Sequence, residues 1–146
     1  MSRITVAEFQ EIVRRSLPFA QGLGAEIVEL GPARTVLRMP YRDDFLRPGG
    51  TISGPILMGL ADLAMYAIVL AAIGRVELAV TTSLAINFLR KPPPADILAQ
   101  ARLLKLGKRL AVGEVELFSA GDPEMVAHVT ATYSIPPAAE RGASGD

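Results

Sequence analysis

Residues 53–74 read S-G-P-I-L-M-G-L-A-D-L-A-M-Y-A-I-V-L-A-A-I-G, and the reading of this stretch decides the fold. It is almost wholly apolar, with one carboxylate, Asp62, in its middle. A helix without a polar face belongs at the centre of a core or in a membrane. Ser53 suits an N-cap. Pro55 suits the first turn, where a backbone N–H would be unpaired anyway, and Gly74 suits a C-cap. Crossing a bilayer takes about 20 apolar residues, and a central Asp costs roughly 2.5–3.5 kcal/mol there. No second apolar span follows; the rest of the chain alternates like strand. The expectation is a core helix, no membrane partner, and an acid placed where charge is costly to bury.

Upstream, Thr5-Val6-Ala7-Glu8 has the form of a capping box opening a short helix with Phe9, Ile12 and Val13 on its apolar face. Pro18 is expected to end it. Residues 23–30 and 34–39 read as two strands joined by Gly31-Pro32-Ala33, and residues 41–52 as a charged, glycine-rich loop. Downstream, residues 78–88 alternate. Leu78, Val80, Thr82, Leu84, Ile86 and Phe88 share one face, and Ala79, Thr81, Ser83, Ala85 and Asn87 share the other. Residues 97–106 and 110–119 read as a hairpin, with a bulge expected near Gly113 where the apolar phase changes. Residues 125–135 alternate cleanly, with Tyr133 in the apolar phase. This order predicts an α+β fold, one antiparallel sheet curled round one long helix. It is expected to form one domain over residues 1–136, with 137–146 as a disordered tail.

The totals narrow the function. The 146 residues carry no net charge, which removes the electrostatic case for nucleic acid. There is no Cys and one His, so a thiolate nucleophile, a disulfide frame and the common zinc sites are excluded. The N-terminal stretch lacks the apolar run of a secretory signal, and the expected location is cytoplasmic.

Three features could carry chemistry. Asp62 needs either a partner, such as Thr81, Thr82 or a loop amide, or a task. Gly54 offers a free N–H at a helix N-terminus, where anions and developing oxyanions bind, and its lack of a side chain lets a carbonyl approach. The two lie eight residues apart, about 12 Å along one helix, so they cannot touch one carbonyl within a single chain. Two copies packed with antiparallel helices about a two-fold axis would bring them together. The third feature is basic: Arg90, Lys91, Lys105, Lys108 and Arg109 lie at strand ends and turns. They form either a solvated rim or a phosphate-binding patch for a carrier such as coenzyme A. Met58, Met65 and Tyr66 recur at helical spacing, as core residues do. Ser53 has no nearby His for a triad, since His128 falls on the polar phase of a distant strand.

Four blocks in succession carry a resemblance: S-G-P-I-L-M-G-L-A-D, then T-T-S-L-A-I-N-F-L-R-K-P, then A-R-L-L-K-L-G-K-R-L-A-V-G-E-V-E-L, then V-A-H-V-T-A-T-Y. With these the chain resembles the hotdog-fold acyl-CoA thioesterases of the PaaI-like, phenylacetate-pathway type. The family usually has H-G-G at the helix start, where this chain has Ser53-Gly54-Pro55. It often has Asn six residues earlier, where this chain has Arg47. The resemblance implies a homodimer, often paired into a tetramer, with active sites across the dimer interface. Asp62 would be general base or nucleophile, and Gly54 of the other subunit the carbonyl donor. Ser53 and Arg47 would meet the substrate in the absent His and Asn roles. If the chain is such a thioesterase, Thr81 and Thr82 are expected among the substrate-binding residues, and Met58, Met65 and Tyr66 are expected to line the acyl channel. Arg90, Lys91, Lys108 and Arg109 would meet the phosphates of coenzyme A, which enters as part of the substrate; no other cofactor is implied. The rival expectation is a non-catalytic binder of acyl-CoA or another hydrophobic ligand. A dehydratase-like reading is weaker, because it would need a His near the reacting carbon.

Overall fold

The computed structural model describes residues 1–140. The last six residues of the expected tail lie outside the described residues; residues 138–140 form a short 3-10 turn.

Helix α1 spans Val6–Ser16, and its capping box is complete. The Glu8 N–H donates to the Thr5 hydroxyl at 3.0 Å, and the Thr5 N–H donates to the Glu8 carboxylate at 2.9 Å. Phe9, Ile12 and Val13 are its buried face, as their spacing predicts. Pro18 ends α1 but opens a second helix, α2, over Pro18–Leu23. Proline's fixed φ and missing N–H suit a first helical position as well as a stop. The first strand is correspondingly shorter than the sequence suggests. Gly24 closes α2 in the left-handed region at φ 68°, and β1 covers only Glu26–Glu29.

Strand β2 is Thr35–Met39. The loop after it folds as a 3-10 turn, Asp43–Phe45, and a two-residue hairpin of β3 (Leu46–Arg47) and β4 (Thr51–Ile52). This hairpin hands the chain to α3, Gly54–Ile73. Strands β5 (Val80–Phe88), β6 (Ile97–Leu106), β7 (Leu110–Ser119) and β8 (Met125–Ser134) complete the chain. The main sheet has the order β1-β2-β6-β7-β8-β5, and every pairing is antiparallel. It curves round α3 in the hotdog arrangement.

From Leu63 to Ala71 every residue of α3 is buried. That explains the missing polar face: sheet and N-terminal helices enclose this half on all sides. The helix is long and apolar enough to cross a membrane, yet two-thirds of that window is buried within the fold, so it is the core helix. Gly113 on β7 sets how closely helix and sheet approach. A Cβ there would lie 2.7 Å from the Met65 sulfur and 2.9 Å from the Arg102 carbonyl. The bulge expected near Gly113 falls opposite it, on β6, between Leu103 and Lys105.

The N-terminal half of α3 is different. Pro55 and Met58 are exposed, and Gly59 and Asp62 are half-buried. These positions recur at three to four residues and so form one stripe that the chain covers only in part. Two further features leave the molecule open on the same side. Strand β5 is a sheet edge, and Leu78, Val80, Phe88 and Leu89 on or beside it are each at least half exposed.

Candidate active site

Asp62 lies at the wall of a cleft of about 500 Å³. One side of the cleft comes from the α1–α2 junction (Leu17, Pro18, Phe19), the other from the approach to β5 (Leu78, Val80), and Tyr66 and Tyr133 close it. The Phe19 ring rests on α3 at Gly59, where an added Cβ would meet it at 2.6 Å. Gly59 is one turn before Asp62, so the ring and the carboxylate share a helix face.

The carboxylate is held on one oxygen. Oδ1 accepts from the Thr81 hydroxyl at 2.6 Å and from the Tyr133 phenol at 2.9 Å. Oδ2 accepts from no side chain or backbone group among the described residues. Thr81 reaches Asp62 because β5 carries an irregularity. The pairing with β8 shifts between Thr81 and Ser83, which leaves Thr82 as an extra residue. Strict alternation puts Thr81 opposite in face to Leu84 and Ile86; the extra residue returns it to their inward side. Thr82 is exposed and bonds the Thr132 carbonyl instead. Of the two threonines marked in the sequence, only Thr81 meets the acid.

Tyr133 was absent from the sequence-derived site. Its signal was present: a Tyr in the inward phase of a strand needs a partner for its hydroxyl. Tyr66, marked in the sequence, lines the cleft and donates to the Glu77 carbonyl at 3.1 Å. Burial, then the Glu77 charge, push its phenol up to about 12. Its hydroxyl therefore stays a protonated donor at neutral pH.

At the start of α3, the Gly54 N–H has no acceptor among the described residues. Pro55 has no N–H to compete with it. Ser53 is not the side-chain cap its type suggests; its hydroxyl makes no capping bond, and its own N–H donates to the Phe45 carbonyl at 2.9 Å. The Phe88 ring lies against Gly54, 3.1 Å from where a Cβ would stand. Arg47 is exposed on the β3–β4 hairpin beside this helix end.

The remaining candidates separate. Met58 is exposed on the open stripe of α3, whereas Met65 is fully buried under Gly113 as a core residue. The basic residues do not form one patch in a protomer. Val80, Ser134 and Leu110 are cross-strand partners, so Lys105, Lys108 and Arg109 sit at the β5 start. Arg90 and Lys91 follow the β5 end, about 27 Å away at 3.4 Å per strand residue. Arg90 pairs with Glu124 at 3.0 Å, and Arg109 donates to the Ile135 carbonyl. His128 is on the outer face of the sheet with Glu114 and Arg102, remote from Asp62.

A curled antiparallel sheet on a buried helix, with an acid opening from that helix into an apolar cleft, defines the hotdog thioesterase class. The chain belongs to the thioesterase superfamily, which matches residues 49–126, just over half of the chain. A candidate thioesterase from Silicibacter sp. TM1040 has 45% sequence identity and a TM-score of 0.83, with 94% of this chain and 95% of that one covered. A mutant of the phenylacetic acid degradation protein PaaI from Thermus thermophilus is 30% identical, with a TM-score of 0.72 over 82% of this chain and 99% of that one. A candidate esterase of Saccharolobus solfataricus is 25% identical over 130 residues, 89% of this chain and 91% of the relative. The resemblance to PaaI-like thioesterases thus holds over 82% of the chain, and this kinship supports thioester hydrolysis as the activity.

Proposed function

We propose that the protein hydrolyses acyl-CoA thioesters, with Asp62 as the group that activates water or attacks the carbonyl. The observation that carries this reading is the state of the carboxylate. It faces an apolar cleft, with one oxygen fixed by two donors and the other unengaged. A general base needs a fixed position and a free lone pair. In the base form of the reaction, Asp62 takes a proton from water as the water oxygen bonds to the acyl carbon. The carbonyl oxygen becomes an oxyanion; as it re-forms the C=O the C–S bond breaks, and the leaving thiolate takes the proton from Asp62, which returns to the carboxylate.

The oxyanion donor is the Gly54 N–H of a second protomer. Within one protomer the two groups are about 12 Å apart along α3. The unpaired β5 edge and the partly open stripe of α3 lie on the same side, and a long hydrophobic edge strand calls for a partner. Antiparallel β5–β5 pairing about a two-fold axis sets α3 beside its copy and brings each Gly54 towards the opposite Asp62. It also places the Val80 end of one strand by the Phe88 end of the other. Arg90 and Lys91 of one protomer then join Lys108 and Arg109 of its partner, a divided cation set suited to the phosphates of coenzyme A. Ser53 and Arg47, beside the same helix start, would contact the substrate.

Turnover of a panel of acyl-CoAs by wild-type protein and Asp62→Asn tests the proposal. Wild-type hydrolysis lost in the variant, with acyl-CoA binding retained, is the expected result; full activity in Asp62→Asn would remove Asp62 from the mechanism. One observation favours a second reading, a non-catalytic acyl-CoA binder: the Phe88 ring packs against Gly54 and crowds the helix start. That reading expects no turnover, and ligand stabilisation of roughly 2.7 kcal/mol at a hundredfold excess over Kd.

A further inference from the structure

We infer that Tyr133 is the positioning residue of the site, fixing Asp62 so that a single carboxylate oxygen is presented to the substrate. The inference rests on the proposed catalytic role of Asp62 and adds to it a residue from another element. The Tyr133 phenol reaches two acceptors on one residue: Asp62 Oδ1 at 2.9 Å and the Asp62 main-chain carbonyl at 3.1 Å. A donor shared between a side chain and its own backbone restrains the torsion between them. Thr81 touches the side chain alone.

The two donors also differ in how firmly they are held. Thr81 lies on the edge strand beside an extra residue, where local opening is easiest. Tyr133 lies on β8, paired on both sides by β5 and β7. Its ring is 2% exposed and forms one end of an aromatic row. The Tyr66 ring is 6.1 Å away, and Phe9 of α1 is 5.9 Å beyond that. The hydroxyl is thus placed by packing that does not depend on the acid it serves. Burial, and then the Asp62 charge, hold the phenol above its ordinary range, so it remains a donor. With Oδ1 doubly occupied, Oδ2 is the oxygen left to take the proton from water or to bond to the acyl carbon.

Tyr133→Phe removes the hydroxyl and leaves the aromatic row. The expected result is a kcat lower by about tenfold, inside the hundredfold that roughly 1 Å of misplacement costs, with KM within twofold of wild type. The same substitution in an Asp62→Asn background is expected to change the residual rate by less than twofold, because Tyr133 acts through the carboxylate. Unchanged kcat in Tyr133→Phe overturns the inference. So does an equal loss in both backgrounds, which would mark a general structural effect. If Asp62→Asn alone keeps full activity, the proposed function fails instead, and the two failures are told apart by that one arm.

Discussion

At the scale of single residues, the start of α3 shows how a residue type can suggest one role and geometry assign another. Ser53 stands at the N-cap of a twenty-residue helix, but its hydroxyl caps nothing. The turn is instead anchored by the Ser53 N–H on Phe45 and by the Thr51 hydroxyl on Pro92. Ser53→Ala is therefore expected to cost less than about 0.5 kcal/mol in chemical denaturation, where a working Ser cap costs about 0.5–2 kcal/mol. A loss above about 1 kcal/mol would show that the hydroxyl is engaged. Asp62 was legible because a lone acid in an apolar helix is anomalous on any reading. Thr81 was legible only as one of two neighbours, since alternation alone could not say that β5 gains a residue between them. Tyr133 was hidden by its setting: in an alternating strand it looks like another core residue. Met65 shows the converse, a residue at channel-like spacing that Gly113 admits into the core.

At the scale of elements, most of the fold could be read from periodicity and punctuation. The capping box, the long helix and four later strands form where the pattern places them, because each buries one continuous face. The misreadings are at junctions. Pro18 both stops α1 and starts α2, and a six-residue helix is too short to show a period. One junction can be tested by pH. Asp96, just before β6, accepts from the Tyr41 N–H at 2.7 Å and from Arg38 of β2 at 2.7 Å, tying two segments together. The Tyr41 amide first, and Arg38 second, hold its carboxyl below the usual range. The folded state thus binds this proton more weakly than the unfolded chain does. Its stabilisation is present above the unfolded-state pKa and is lost as pH falls through the folded one. Urea midpoints for wild type and Asp96→Asn should differ most near pH 7 and converge on acidification. A gap that stays constant to pH 3 would contradict this.

At the scale of the whole molecule, what one protomer lacks is as informative as what it contains. Its acid and its free helix amide are about 12 Å apart, its basic residues sit at opposite sheet ends, and its longest unpaired edge is hydrophobic. The proposed two-fold axis, perpendicular to β5 and its copy, would resolve all three. The sequence could give the spacing of Gly54 and Asp62, and hence the need for a second copy if the two act together. It could not give the edge, because strand order in a sheet is a property of the folded topology. Mixing two inactive variants tests the shared site most directly. Gly54→Pro removes the amide donor at a first helical position, where proline's φ fits and the Phe88 ring must give by a few tenths of an ångström, and Asp62→Asn removes the acid. Refolded together in equal amounts, half the dimers are mixed, and each mixed dimer holds one site with both native groups. Hydrolysis should return to about a quarter of the wild-type rate in that mixture. No recovery, from a mixture shown by light scattering to contain dimers, would place the catalytic groups within one protomer and contradict the account.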